Sequence, residues 1–267
     1  MKRGVVFILA MTLFLIQTNS QPINPVSSSL ASLPLKPSAS STYEKNLYFL
    51  ASENVDREEI ILYQKELDEF VKKLASKRDK ISNESYFLKH MFYKVHNKYL
   101  KFYDNFVTFN DLFKKGNYDC VSGTALYSLI LDELGFSYYI YESNFHVLLL
   151  VQVGDNLILM ESTDFREGFV DNQDEISKRI EYYQSLNETE SDSYYNYQQN
   201  THRAIDSRQL AGLLFYNLAV KEFNQQDFPG ASTYLDKAEL LYKGPRISEL
   251  RNLITKMTLA ANSVSLH

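Results

Sequence analysis

The strongest constraint on the fold lies in residues 119–165, where one apolar helical pattern runs directly into two alternating strands around a single turn. In "DCVSGTALYSLILDELG" Asp119 is a natural N-cap, Leu126, Leu129, Ile130 and Leu134 share one face, and Gly135 supplies the stop at C′. The next stretch, "FSYYIYESNFHVLLLVQVGDNLILMESTDF", is rich in β-branched and aromatic residues, and "GDN" is a turn signal between two strands. The pattern predicts an α+β core in which this helix lies on an antiparallel sheet. If Gly154, Asp155 and Asn156 form a three-residue loop, Val153 faces Leu157 and opposed residue numbers sum to 310. His146 and Asp164 then become cross-strand neighbours on one face, with Cβ atoms about 5 Å apart. A two-residue loop shifts the register by one and sends them to opposite faces.

Cys120 is the one cysteine of the chain and falls in the first turn of the helix. Unpaired backbone N–H groups and the positive end of the helix dipole favour a thiolate there, whereas the adjacent Asp119 opposes it. A thiol at a helix N-terminus, a histidine on a strand and an aspartate on the next match the logic of an activated nucleophile. The imidazole takes the thiol proton and the carboxylate orients the ring. Asn117, Tyr118 or the backbone N–H of Cys120 could serve an oxyanion hole, the last being the simplest donor.

The order Cys120, His146, Asp164, at intervals of 26 and 18 residues, resembles the transglutaminase-like superfamily, whose members share a papain-like core. The resemblance covers residues 85–170 and rests on "YDCVSGTALYSLILDELGFSYYIY", on "FHVLLL" and on "ESTD". It implies Cys120 as nucleophile, His146 as general base and acid, and Asp164 as the orienting group. The implied activity is that of a peptidase, amidase or acyl transferase working through a covalent thioester. The second class of function compatible with the same residues is a non-catalytic interaction module.

The flanks complete the domain map. Lys2 and Arg3 precede the apolar run "GVVFILAMTLFLI" and the polar "QTNSQP", the pattern of a signal peptide over residues 1–20 and hence of a secreted or periplasmic protein. Residues 21–42 are Ser/Pro-rich and read as a flexible linker. The transglutaminase-like domain is expected over 43–185. It opens with two helices, one capped by Asp56 with Ile60, Tyr63, Leu67, Phe70, Val71 and Leu74 at helical spacing. The other starts at Asn83, with Tyr86, Phe87, Phe92 and Val95 near one face, and carries His90 and His96 as surface or packing residues. A polar linker spans 186–206. Residues 207–260 resemble a tetratricopeptide repeat, on Tyr216, Leu218 and Ala219, then "QQDFPGA", then Ala238. A single repeat cannot bury both faces, so this unit is expected to dock on the core.

Several classes are excluded. The formal charge of −5 becomes −7 without Lys2 and Arg3, and no basic cluster offers a footprint for nucleic acid. No glycine loop that could cradle phosphate and no zinc-ligand spacing occurs, so neither cofactor nor metal is expected. "NVDREE", "DNQDE" and "NETESDS" lack the ligand alternation of a calcium loop and read as solvated surface. The expected partner or substrate is a protein or peptide, and no membrane span is expected after signal cleavage.

Overall fold

The structure, a computed structural model, describes residues 42–52, 56–144, 146–189 and 202–264. The expected signal peptide and nearly all of the Ser/Pro-rich segment read as a linker lie outside these residues. The helices are α1 (Thr42–Leu50), α2 (Arg57–Arg78), α3 (Glu84–Tyr99), α4 (Asp111–Lys114), α5 (Cys120–Leu134), α6 (Gln173–Thr189), α7 (Ser207–Asn224), α8 (Phe228–Leu241) and α9 (Pro245–Val264). The strands are β1 (Phe102–Tyr103), β2 (Asn117–Tyr118), β3 (Tyr138–Glu142), β4 (Val147–Val153), β5 (Asn156–Met160), β6 (Phe169–Val170) and β7 (Arg203–Ile205). β1 and β2 form a short parallel pair, and the main sheet has the antiparallel order β6-β5-β4-β3-β7. The result is a mixed α+β fold in which the cysteine-bearing helix packs on a five-stranded sheet and helices close the chain.

Both faces of the sheet are covered. Val147, Leu149 and Val151 of β4 join α5 in the main core, and the alternate residues Leu148 and Leu150 are equally buried. The latter set shares its burial with Ile176 and Ile180 of α6, which packs on β5. Burial on both sides explains the unbroken "VLLLV" in an otherwise alternating pattern. The caps fall where the sequence places them. Asp56 and Asn83 accept helix N–H groups, Asp119 forms a capping box with Ser122, and Gly135 ends α5 at φ +74°.

Two expectations are corrected. Tyr86 is 64% exposed and points away from the buried face of α3, which runs through Phe87, Leu88, Met91, Phe92 and Val95. The polar interval 186–206 is more than a linker: α6 continues to Thr189, and Arg203–Ile205 adds edge strand β7.

The C-terminal helices are fastened to the sheet by charge as well as by packing. Glu142, at the end of β3 and fully buried, meets Arg203 Nε at 3.1 Å and Arg246 Nη2 at 3.0 Å. Tyr242 donates its hydroxyl to the same carboxylate, and Arg246 also donates to the carbonyls of Ser143 and Asn144. One carboxylate thus holds β7, the end of α8 and the start of α9. The cost of breaking a buried pair comes chiefly from the charges left behind, so Glu142→Ala strands two guanidinium groups. It should lower stability by about 3–5 kcal/mol in urea unfolding at pH 7; a loss below about 1 kcal/mol would show the network to be a surface pair in energetic terms.

Candidate functional site

The register of the β4–β5 hairpin decides which carboxylate can reach His146. Gly154 takes the left-handed φ of +58°, which lets Gly154 and Asp155 alone make the turn, and Val153 pairs with Asn156. Leu149 therefore pairs with Met160, so opposed residue numbers sum to 309, not to 310 as a three-residue loop requires. In this register Asp164 cannot stand opposite His146, which corrects the triad expected from the sequence. Asp164 turns instead into its own loop, its Oδ1 accepting the backbone N–H groups of Arg166 and Glu167, both at 2.9 Å.

The residue brought to His146 is Glu161. By strand alternation it shares a face with Leu148 and His146, a diagonal neighbour one pleat repeat away. Glu161 Oε1 lies 2.9 Å from His146 Nε2, and the two side chains are 10% and 15% exposed. Thr163 Oγ1 donates to the same oxygen at 2.7 Å. The second oxygen, Oε2, accepts from the Tyr183 hydroxyl, and Arg179 Nη1 stands 4.0 Å away. The Tyr183 ring also stacks on the imidazole, with centroids 5.1 Å apart and planes 21° from parallel. Glu161, Tyr183 and Arg179 were missed in the sequence. Glu161 was hidden by the turn length, and Tyr183 by a helix, α6, whose polar composition obscures its inward face.

Cys120 is half-buried at the first position of α5. The close approach of this helix to the end of β5 depends on Gly123, where a Cβ would stand 2.6 Å from Ser162 Oγ. Ser162 in turn donates to the Cys120 carbonyl at 3.5 Å. With this contact the thiol is within hydrogen-bonding reach of His146. Burial drives the His146 pKa down, but the hydrogen bonds to Cys120 and Glu161, with the negative charge of each, outweigh it and raise it to about 10. Burial also works against the Glu161 carboxylate, yet the His146 hydrogen bond and charge, with help from Tyr183 and Thr163, lower its pKa to about 2. At neutral pH the pair is an imidazolium and a carboxylate beside the Cys120 sulfur. Since Nε2 faces Glu161, Nδ1 is the ring nitrogen left to exchange a proton with the sulfur.

Asp119, one residue before the thiol, is drawn away from it. Its carboxylate accepts from Ser122 N at 2.7 Å and from Asn217 Nδ2 of α7 at 3.0 Å, and burial raises its pKa. Burial disfavours the charge that would repel a negative sulfur, whereas the hydrogen bonds from Ser122 and Asn217 favour it. Among the described residues no group of three or more His, Cys, Asp or Glu is arranged to hold a metal ion, and no helix is long and apolar enough to cross a membrane.

His96 behaves as packing. It is 2% exposed, its ring centroid lies 4.6 Å from that of Phe92 and 5.4 Å from that of Phe165, and neither ring nitrogen has a hydrogen-bond partner among the described residues. Comparison of the whole chain with protein-family models, with curated proteins and with solved structures finds no match in any of the three.

Burial lowers the His96 pKa to about 4, against a weaker pull upward from Asp164. Between the ordinary value near 6.5 and about 4, the unfolded chain therefore binds the proton that the native state refuses. Stability from this residue is complete above pH 6.5 and is lost as pH falls through that window, to the extent of about 2–3 kcal/mol. Urea unfolding of wild type and His96→Phe from pH 7 to pH 4 should show a shallower acid loss in the variant. Parallel curves would mean that His96 titrates normally.

Proposed function

We propose that this chain is a thiol enzyme with a transglutaminase-like core, acting on an amide or related acyl bond through Cys120, His146 and Glu161. The observation that carries the reading is the buried Glu161–His146 ion pair near the N-terminus of the cysteine helix, with the Cys120 sulfur in hydrogen-bonding reach of the ring. With the thiol proton already on the ring, the Cys120 sulfur adds to the acyl carbon as a thiolate paired with the imidazolium that Glu161 stabilises. The oxyanion formed takes a hydrogen bond from the backbone N–H of Cys120. Nδ1–H then protonates the departing nitrogen as the C–N bond breaks, leaving a thioester on Cys120. Water or a second amine attacks the thioester, giving its proton to Nδ1, and cleavage of the C–S bond releases the acyl product and restores the thiolate–imidazolium pair. Glu161 occupies the role that the resemblance assigned to Asp164. The signal-peptide reading places such an enzyme outside the cytoplasm, with a protein or peptide as the substrate.

A second reading has its own observation. Tyr216, Val220 and Phe223 of α7 and Leu250 and Leu253 of α9 line an open groove of about 250 Å³, with Arg246 and Glu249 on its wall. In that reading the helical end, which resembles a tetratricopeptide unit, binds a protein partner and the thiol is unused.

One series separates the two. Cys120 is the single cysteine, so alkylation by iodoacetamide is followed cleanly by intact mass. At pH 7 the wild type should react in the folded state, and His146→Ala and Glu161→Gln should react at least roughly tenfold more slowly, the loss of about 1.4 kcal/mol of activation. Asp164→Asn, outside the pair, should stay within about twofold. A thiol that reacts only after denaturation, whatever stands at 146 and 161, would favour the interaction module.

A further inference from the structure

We infer that Tyr183 is a positioning residue of this site, holding Glu161 and His146 in register with each other; the inference rests on the reading of Cys120 as nucleophile. The geometry shows one side chain acting on both partners. Its ring covers a face of the imidazole, and its hydroxyl pins Oε2 of the carboxylate whose Oε1 faces Nε2. With Thr163 on Oε1 and Tyr183 on Oε2, Glu161 cannot rotate about its terminal bond without giving up a donor. The imidazole is likewise covered on one face by the stacked ring. A histidine serving first as acid and then as base must keep Nδ1 beside the sulfur through both steps, and a ring free to turn would not.

The helix that delivers Tyr183 is built for the task. Ile176, Ile180 and Tyr183 recur at i, i+4 and i+7, so the tyrosine continues the buried stripe of α6 beyond its two isoleucines. The start of the helix is clamped to β5 by Gln173, which accepts from Leu157 N at 3.2 Å and donates to Leu157 O at 2.8 Å. Arg179, one turn before Tyr183, adds a cation 4.0 Å from Glu161 Oε2 and reaches Glu167 and Glu175 as well. Tyr182 is the internal control: it is 59% exposed and points away from the pair.

A tyrosine that only fills space is replaceable by phenylalanine, whereas a positioning tyrosine is not. The test uses the full chain with 13C-labelled glutamate side chains, titrating the Glu161 carboxyl by NMR and measuring Cys120 alkylation by iodoacetamide at pH 7. Tyr183→Phe keeps the stacked ring and removes one charge-assisted hydrogen bond. The Glu161 midpoint should climb from about 2 toward the ordinary carboxylate value, and alkylation should slow by roughly three- to tenfold. Tyr183→Leu, which also loses the stacking, should slow it further, and Tyr182→Phe should change neither readout. If Tyr183→Leu does not fold, Tyr183→Phe alone decides. A folded Tyr183→Phe variant with an unmoved Glu161 midpoint, or with a moved midpoint and wild-type alkylation, overturns the inference. A wild-type thiol indifferent to His146→Ala is a different failure, that of the enzymatic reading.

Discussion

The N-terminus of α5 lies so close to the end of β5 that there is no room for a side chain at Gly123, whose Cβ would meet Ser162 Oγ at 2.6 Å. Everything at the site follows from that approach. It sets the Cys120 carbonyl against Ser162, one residue from Glu161, and so brings the sulfur to the imidazole that Glu161 holds. A β-carbon at position 123 would push a nearly fully buried helix off a sheet buried on both faces, and close-packed interiors resist shifts of that size.

Two buried carboxylates, Glu142 and Glu161, stand at the end of the sheet where β3 finishes and β4 begins, and each meets a basic side chain. On the β3 side Glu142 gathers Arg203, Arg246 and Tyr242 and locks the C-terminal helices in place. Just before β4, His146 meets Glu161, with Tyr183 and Thr163 supplying the remaining hydrogen bonds. The two clusters differ in kind. Glu142 faces permanent cations and serves as a fastening, whereas Glu161 faces an imidazole that can give up its proton. Asn217 of α7 links the two regions by reaching the Asp119 cap directly before the thiol. The helical C-terminus is thereby part of what shapes the first turn of the cysteine helix.

Elements set by local chemistry were legible in the sequence. Asp56, Asn83 and Asp119 cap helices as their types and positions imply, Gly135 ends α5, and the apolar spacing of α2 and α5 survives as buried faces. Cys120 and His146 also stand where the sequence places them, since a thiol in the first helical turn and a histidine at the mouth of a strand depend on element boundaries alone. The carboxylate that reaches His146 is Glu161 and not Asp164, because that pairing depends on one residue of turn length. "GDN" admits both a two- and a three-residue loop, and Gly154 in its left-handed conformation selects the shorter. The choice shifts every pair by one and exchanges Asp164 for Glu161, three positions away in the same "ESTD". Tyr183 and Arg179 were invisible for another reason: their role is tertiary, and only two isoleucines in α6 mark the face that lies against the sheet.

The central claim is that Glu161 and the Cys120 sulfur hold His146 as an imidazolium across the neutral range. The most direct measurement is the NMR titration of the His146 ring in the full chain with 15N-labelled histidine. The imidazolium signature should persist through pH 7 and disappear only as the pH approaches about 10, and in Glu161→Gln the midpoint should fall by more than one unit. A His146 ring that loses its proton near the ordinary value of about 6.5, in wild type and Glu161→Gln alike, would contradict the account.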